Sequence, residues 1–417
     1  MTSTPTRPIP PPGPRPDQPD RAVAWRRLVV CLILATIGGT GLWSSVVVLP
    51  TIQTEFGVNR GGASLPFTLT LVGFAFGGIL MGRLADRFGI VMPVILGAIL
   101  LGSGYVLASF AQSYWQFLAI QCVLIGMLGS SVTFGPLVAD ITHWFVRRRG
   151  IAVAMVASGN YLAGALWPPV LQYGIEAVGW RQTHLLVGVF VVVTMIPLAL
   201  LLIRKTSPRT HASAAHGQAP YPSPVPLPVL QVLLIIAGVA CCVAMAMPQV
   251  HMVAYCVDLG YGAASGAELL SIMLGLGVVS RLVSGLVADK IGGLATLLIG
   301  SSLQCLALVF YLPFDGLVSL YLISALFGLS QGGIVPSYAL VVRDYFPAEQ
   351  AATRITTVLM ATVLGMALGG WMSGAIYDFT GSYELAFING VGWNLLNMSI
   401  AGWLLFTRMR PRVQTAV

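Results

Sequence analysis

Arg281 stands alone in the uncharged stretch between Glu268 and Asp289. On a helix it lies eight residues from Asp289, roughly 12 Å of rise. In lipid, a guanidinium at that depth costs about 2.5–3.5 kcal/mol on insertion scales, so it must face a wet cavity or a partner. Its planar fork of N–H donors matches a carboxylate in two parallel hydrogen bonds. The chemistry indicated is capture of an anion; a structural salt bridge is the plainer alternative. His251, Tyr255 and Asp258 follow one another at i, i+4 and i+7 and so share one helix face. An imidazole that titrates near pH 6.5, or a partly shielded carboxyl, can take up and release a proton there. The competing reading makes Asp258 a helix cap and His251 a neighbour's hydrogen-bond partner. Gln121, Asn160, Gln249, Gln331, Tyr338 and Asn394 are polar groups in apolar surroundings. They are candidates to line the same cavity, but each also fits as interhelical glue worth about 0.6 kcal/mol. Trp167 and Trp371 suit packing as well as contact with a ligand.

The elements that must position these groups are set by composition. Charged residues are 9% of the 417-residue chain, apolar residues 56%, and mean hydropathy is +0.85. Ordinary soluble domains carry about 25% charge, so the natural solvent here is lipid. Apolar runs of about 20 residues, long enough to cross a hydrocarbon core of roughly 30 Å, fall near 28–50, 65–84, 92–110, 115–139, 150–172 and 183–203. A second set falls near 229–256, 266–288, 293–312, 317–340, 353–376 and 384–406. Helices are required, because an open strand in lipid leaves its backbone groups unpaired. The alternation of a membrane barrel is absent.

Of the 22 Lys and Arg, only Arg60, Arg181 and Arg281 fall outside loops and tails on one side of such a twelve-span chain. The bias places both termini in the cytoplasm of a multi-pass cell-membrane protein; Arg60 and Arg181 then sit in loops on the far side. The net charge of +8 follows from this bias. Because the basic residues are scattered over separate segments, a nucleic-acid surface is not expected. The six cysteines lie within spans and show neither disulfide nor metal spacing, so they read as packing residues. Residues 1–27 form a Pro-rich cytoplasmic tail, 28–203 a first set of six helices, 204–228 a Pro-rich cytoplasmic linker, 229–407 a second set of six, and 408–417 a second tail.

The two sets repeat one another. Gly82-Arg-Leu-Ala-Asp86-Arg87-Phe-Gly89 after span 2 returns as Gly285-Leu-Val-Ala-Asp289-Lys290-Ile-Gly292 after span 8. Trp144-Phe145 returns as Tyr345-Phe346, and Glu176 with Gly179 as Asp378 with Gly381, at offsets of 203, 201 and 202 residues. The first of these loops resembles the signature loop of the major facilitator superfamily. Ile90 and Val91 stand where basic residues normally follow it. The resemblance implies an all-α membrane protein of the major facilitator fold, with 12 transmembrane helices in two pseudo-symmetric six-helix halves. Trp144-Phe145, Arg148-Arg149-Gly150, Ser158-Gly159, Pro168 and Gly179-Trp180-Arg181, together with His251, Asp258 and Arg281, resemble the monocarboxylate and oxalate–formate branch.

That branch implies that Arg281 binds an anionic substrate. Its dicarboxylate carriers use a second basic residue in helix 11; here 356–376 contain no Lys or Arg, which favours a monocarboxylate. The animal members' Lys in helix 1 is missing, and Gly277 replaces their Asp one turn before the helix 8 Arg. The superfamily pattern also implies a gate in which Asp86 faces Arg343 and Arg354, while Asp289 faces Arg147–Arg149; Arg87 and Lys290 belong to the same two gating loops.

The expectation is a secondary carrier working as a monomer in the bilayer. It moves a small organic anion by alternating access, coupled to protons or to exchange. Arg281, Tyr255, Gln121, Asn160, Gln331 and Tyr338 would meet the substrate, with Asp258 and His251 handling the proton. Neither a Walker loop nor a nucleophile or metal-ligand cluster is visible, so no enzymatic activity, ATP site or cofactor is expected. The rivals are an exporter of hydrophobic or drug-like compounds, which would favour buried acids over a buried Arg, and a non-transporting receptor, for which the loops are short.

Overall fold

The computed structural model describes residues 22–142, 144–145, 148–203 and 223–409. All regular structure among these residues is helical. The first half comprises α1 (Ala22–Gly38 and Thr40–Val47, continued by Leu49–Phe56), α2 (Arg60–Phe88), α3 (Val91–Ser109), α4 (Tyr114–Ile120 through Gly135–Thr142), α5 (Arg149–Ala157 and Gly159–Val178) and α6 (Trp180–Leu200). The second comprises α7 (Leu227–Asp258), α8 (Gly262–Ile291), α9 (Gly293–Phe310), α10 (Leu317–Gln331 and Ile334–Tyr345), α11 (Ala348–Thr380) and α12 (Glu384–Met409).

Eleven of these columns are long and apolar enough to cross a membrane. The twelfth, α12, has 26 residues, about 39 Å of rise, but Asn389, Asn394 and Asn397 lower its hydropathy. Two of these asparagines are buried and bonded. Asn394 Nδ2 donates to the Ser301 carbonyl and Asn397 Nδ2 to Ser301 Oγ, both at 2.7 Å. Large apolar side chains such as Phe76, Leu286 and Leu322 remain exposed on the outside of the bundle. In lipid that surface is the solvated one.

Most helices outrun the apolar runs, and this corrects several expected boundaries. The tail assigned to 1–27 gives way to helix at Ala22, and residues 1–21 lie outside the described set. Arg27 is buried: Nε and Nη2 donate to Asp140 at 2.6 and 2.8 Å, Nη1 donates to the Leu202 carbonyl at 3.0 Å, and the guanidinium lies 4.6 Å from the Trp144 ring. Arg408, placed in the second tail, belongs to α12 and pairs with Asp344 at 3.2 Å. Helix α7 begins at Leu227, inside the expected linker; 204–222 and 410–417 are outside the described set. Arg60, expected in a loop, is the first residue of α2 and only 6% exposed.

The repeat is visible in the turns. Gly89 and Gly292, which close the two copies of the signature, have φ of 81° and 84°, a region where a side chain is strained. Helix α1 begins and α12 ends at the same end of the bundle, which carries Arg83, Arg87, Lys290, Arg343 and Arg354. The other end carries Glu55, Glu176, Asp258, Asp315 and Asp378. These are called the basic and acidic ends below. Inside the first half, α2 lies on α4; a Cβ on Gly73 would come 2.2 Å from the Cys122 carbonyl oxygen. Inside the second, α11 lies on α7 through Gly365 and Gly369 in the same way. The halves meet along two seams, α2 with α11 and α5 with α8.

Candidate functional site

The α5–α8 seam holds Arg281. Helix α5 is interrupted at Ser158 and α10 at 332–333, and both interruptions lie beside α8. Arg281 Nη1 donates to the Ala157 carbonyl at 2.7 Å and Nε to the Gly332 carbonyl at 3.3 Å. Its guanidinium carbon sits 4.3 Å from the centroid of the Tyr161 ring. One side chain therefore touches main-chain oxygens of both halves. Among the described residues no carboxylate pairs with it. Main-chain dipoles and a π face hold the fork in place but leave its charge uncompensated.

Two glycines make room for this arrangement. A Cβ on Gly332 would lie 2.5 Å from the Arg281 backbone nitrogen, and one on Gly277 would lie 2.8 Å from the Tyr161 ring. Gly277, where the animal carriers have an Asp, thus lets an aromatic ring occupy the space beside the guanidinium. Asn160 precedes Tyr161 on α5. Its main-chain oxygen accepts from Trp43 Nε1 at 3.1 Å, while its buried Oδ1 has no partner. Trp43 and Leu274 pack at Gly164 and form an apolar wall next to the polar groups.

Other expected members lie elsewhere. Tyr338 is fully buried, and its hydroxyl donates to Asn397 Oδ1 at 2.6 Å within the second half. Gln121 lies between α2 and α4, where Oε1 accepts from Thr70 at 3.2 Å and Nε2 is unpartnered. Gln331 Oε1 accepts a short hydrogen bond from Gln249, and its Nε2 donates to the Met273 carbonyl at 3.3 Å. It borders the Gly277 turn but is buried. Tyr255 is at the acidic end, edge-on to Tyr383 and Phe387 at 5.7 and 5.6 Å. Tyr338, Gln331 and the Gln121 side-chain oxygen are bonded inside their own halves, as a buried polar atom in lipid needs a partner.

The α2–α11 seam carries a second polar cluster. Arg60 Nη2 donates to both oxygens of Asp258, at 2.8 and 3.0 Å, and its guanidinium lies 4.6 Å from the Tyr377 ring. Asp378 Oδ1 accepts from the Arg60 backbone nitrogen and Oδ2 from that of Gly61, both at 2.7 Å. His251 is engaged at both ring nitrogens, with Tyr383 Oη at 2.9 Å and the Gly370 carbonyl at 2.7 Å. A carbonyl only accepts, so Nε2 carries the hydrogen and, in the neutral ring, Nδ1 accepts a hydrogen bond from the tyrosine hydroxyl. Asp258 and Arg281 lie at different depths: Arg281 is 19 residues into α8, about 28 Å from its acidic end.

Among the described residues no ion pair joins Asp86 to Arg343 or Arg354, or Asp289 to Arg148, in this conformation. Asp86, Arg87, Asp289 and Lys290 are exposed at the basic end. Arg87 lies 5.2 Å from the ring of its neighbour Phe88. Arg354, at the start of the expected span, is in α11, where it donates to Gln350 Oε1 at 2.9 and 3.1 Å and lies over the Phe346 ring. Arg147 and the side chain of Arg149 lie outside the described set. The hydrogen bonds described above between the halves run from the acidic end to the level of Arg281. Thr68 to the Ala367 carbonyl at 2.9 Å and Ser271 to that of Ala165 add to them. The two halves are held together at the acidic end.

Sequence reasoning missed three residues here. Arg60 was hidden because a charge ends an apolar run, although Asn59 just before it is a helix-cap signal; its side chain accepts from Gly62 at 2.8 Å. Asp378 was visible as a repeat landmark but not as a contact. Tyr161 carried no local signal.

Two repeated six-helix halves that meet along two seams carrying charged groups define a membrane transport protein. The chain belongs to the Major Facilitator Superfamily, whose family profile matches residues 31–325 and 287–416. It is similar to the MFS-type transporter opdF of Penicillium oxalicum, 26% identical over 79% of this chain and 78% of the relative. It is also similar to Monocarboxylate transporter 13 of Bos taurus, 26% identical over 75% of this chain and 73% of the relative. Among solved structures, the nucleoside transporter NupG superposes with a TM-score of 0.70 at 12% identity, covering 92% of this chain and 100% of that one. A bacterial homolog of the human lysosomal transporter Spinster, in an inward-facing and occupied conformation, gives 0.65 at 14% identity, covering 93% and 96%.

Proposed function

We propose that this chain is a secondary transporter of a small organic monocarboxylate, which it binds at Arg281 and exposes alternately to the two sides of the cell membrane. The observation that carries this reading is the guanidinium at the α5–α8 seam, which pairs with no carboxylate of the described residues and is held by main-chain oxygens and Tyr161. One carboxylate would complete its coordination, and the Trp43–Leu274 wall suits a short apolar body. The similarity to Monocarboxylate transporter 13 supports the same class. The positive-inside rule makes the basic end cytoplasmic, so the acidic end faces outward and this conformation is open inward. Asp86 and Arg354, with Asp289 and Arg149, are then partners for the opposite conformation, when the basic end closes.

Coupling to protons is assigned to Asp258. A protonated carboxyl cannot ion-pair with Arg60, so acid on the outer side favours release of the outer contacts. His251, held at both nitrogens, is a structural group. The test is uptake of labelled short-chain mono- and dicarboxylates into proteoliposomes at two pH gradients. Monocarboxylates should enter saturably and faster with acid outside. Asp258→Asn should abolish the pH effect and keep exchange. If no monocarboxylate competes for uptake, the substrate assignment is wrong; if Asp258→Asn keeps the pH response, the proton assignment is.

Tyr161 positions the guanidinium in this scheme. Tyr161→Phe should leave the apparent affinity within about twofold, and Tyr161→Leu should weaken it roughly fivefold, the worth of about 1 kcal/mol of cation–π attraction. Equal affinities for the two variants would remove the ring from the site.

One observation favours export of a hydrophobic compound. An apolar cavity of about 490 Å³ among α1, α5 and α6, lined by Ile37, Leu166, Trp167 and Phe190 among others, opens sideways on the bundle. Apolar competitors in the same uptake experiment address that reading.

A further inference from the structure

The two seams between the halves are related by the repeat, yet only one ends in charge. At the acidic end of the α2–α11 seam, Asp378 of α11 accepts both leading backbone N–H groups of α2, from Arg60 and Gly61. The first N–H groups of a helix have no partner within it, and the partial positive charge there attracts a carboxylate. A helix of one half is therefore capped by an acid of the other. The Arg60 side chain runs from the same turn to Asp258 of α7, over the ring of Tyr377. Contact is close enough to exclude side chains: a Cβ on Gly374 would lie 2.8 Å from the Arg60 carbonyl oxygen and 2.9 Å from the Gly61 Cα. Behind this turn, Phe67 is 2% exposed and meets Gly370.

The α5–α8 seam has no such lock. Glu176, the repeat counterpart of Asp378, accepts from Gln172 of its own helix at 2.8 Å. The first turn of α8 is Gly262-Ala-Ala-Ser265, without a basic residue. Glu55 at the end of α1 pairs with Arg181 at 2.6 Å, inside the first half. Opening at the acidic end thus breaks charged contacts on one seam only.

We infer that Asp378 and Arg60 form the lock of the acidic-end gate, in which α11 caps α2 across the two halves and holds the α2–α11 seam shut until the carrier opens on that side. The inference rests on alternating access between the halves but not on the substrate, so a failed organic-anion assignment leaves it standing. It gives Asp258 and Asp378 different tasks. Asp258 holds the side chain of Arg60, whereas Asp378 holds the backbone of α2 and would act even if Arg60 were shortened.

The test reads opening without transport. Phe67→Cys is introduced into the full chain in lipid nanodiscs, and its reaction with a fluorescent maleimide is timed against the parent protein with its own six cysteines. Both faces are accessible in a nanodisc, so the result does not depend on orientation. The buried thiol should react slowly in the otherwise unaltered chain. Asp378→Asn should speed it by about threefold or more, because the amide offers one acceptor oxygen in place of two to the Arg60 and Gly61 N–H groups and lacks the charge that the helix N-terminus attracts. Arg60→Gln, which frees Asp258 but leaves the α2 backbone on Asp378, should speed it less than Asp378→Asn does. Glu176→Gln, in the other seam, should change it by less than about twofold. Asp378→Ser, too short to reach the α2 backbone, serves where Asp378→Asn is not recovered folded. The lock is disproved if both Asp378 variants leave labelling within about twofold of the unaltered chain, or if Glu176→Gln opens the seam as much as Asp378→Asn does.

Discussion

Arg281→Ala is expected to lower saturable monocarboxylate uptake about 100-fold or more, equivalent to about 2.7 kcal/mol, while the protein stays folded. Two charge-assisted hydrogen bonds to a carboxylate are each worth about 1.5–3 kcal/mol, so the loss of both accommodates that figure. The fold should survive because Arg281 is not a member of any ion pair among the described residues. Its removal strands no carboxylate among the described residues, and the Ala157 and Gly332 carbonyls it releases lie at helix interruptions on a part-buried seam. A membrane-embedded charge without a counter-charge is itself a cost, so the melting temperature of Arg281→Ala should be equal to that of the parent or higher. Arg281→Lys separates charge from geometry. An ammonium keeps the attraction but loses the planar fork, and uptake should fall by roughly tenfold instead. The measurements are initial uptake rates in proteoliposomes alongside thermal melting of the purified variants. Uptake by Arg281→Ala at the parental rate would remove the anion site. A collapse in melting temperature would show that Arg281 is a structural strut.

Much of the fold was legible because lipid imposes a coarse rule, that each crossing needs about 20 apolar residues. The same rule explains where the reading failed. It ends a span at the first charge, yet helices continue through the interfaces, where charges find partners. Arg27 on Asp140, Arg60 on Asp258 and Arg408 on Asp344 all lie on helix ends that were read as loop or tail. The site divides along a similar line. Depth and isolation could be counted along the chain, so Arg281 stood out. Periodicity also put His251, Tyr255 and Asp258 on one face of α7, but it could not say what that face meets. His251 and Tyr255 meet Tyr383 of α12's entry turn, while Asp258 meets the other half. Gln121, Gln331 and Tyr338 show the ambiguity of polar groups in lipid, because sequence alone does not separate a cavity lining from an interhelical bond. Tyr161 and Asp378 required the third dimension.

Gly77→Val is expected to abolish folded protein, whereas Gly78→Val one residue later should be tolerated. A Cβ built on Gly77 would fall 1.8 Å from the Met127 carbonyl oxygen, 2.6 Å from its carbon and 2.7 Å from Ser131 Oγ; one built on Gly78 meets nothing within 4 Å. The obstacle at Gly77 is main chain, which has no rotamer to change. The approach recurs along the seam. Gly73 lies against the Cys122 carbonyl, and Gly126 of α4 lies against that of Thr70. The α4 stretch from Gln121 to Gly129 is wound as a π-helix, which turns its backbone against α2. Separating the helices enough to admit a valine would open every one of these contacts, and overpacking alone costs about 1–3 kcal/mol. In lipid no hydrophobic force draws helices together, so association depends on such close packing. Gly78→Val shares the change in helix propensity, under 1 kcal/mol, and so isolates the contact. Size-exclusion profile and melting temperature of the two variants decide the matter. A monodisperse Gly77→Val protein that melts with the parent would mean that α2 and α4 do not approach as described, and the rigid first half against which both gates work would need another basis.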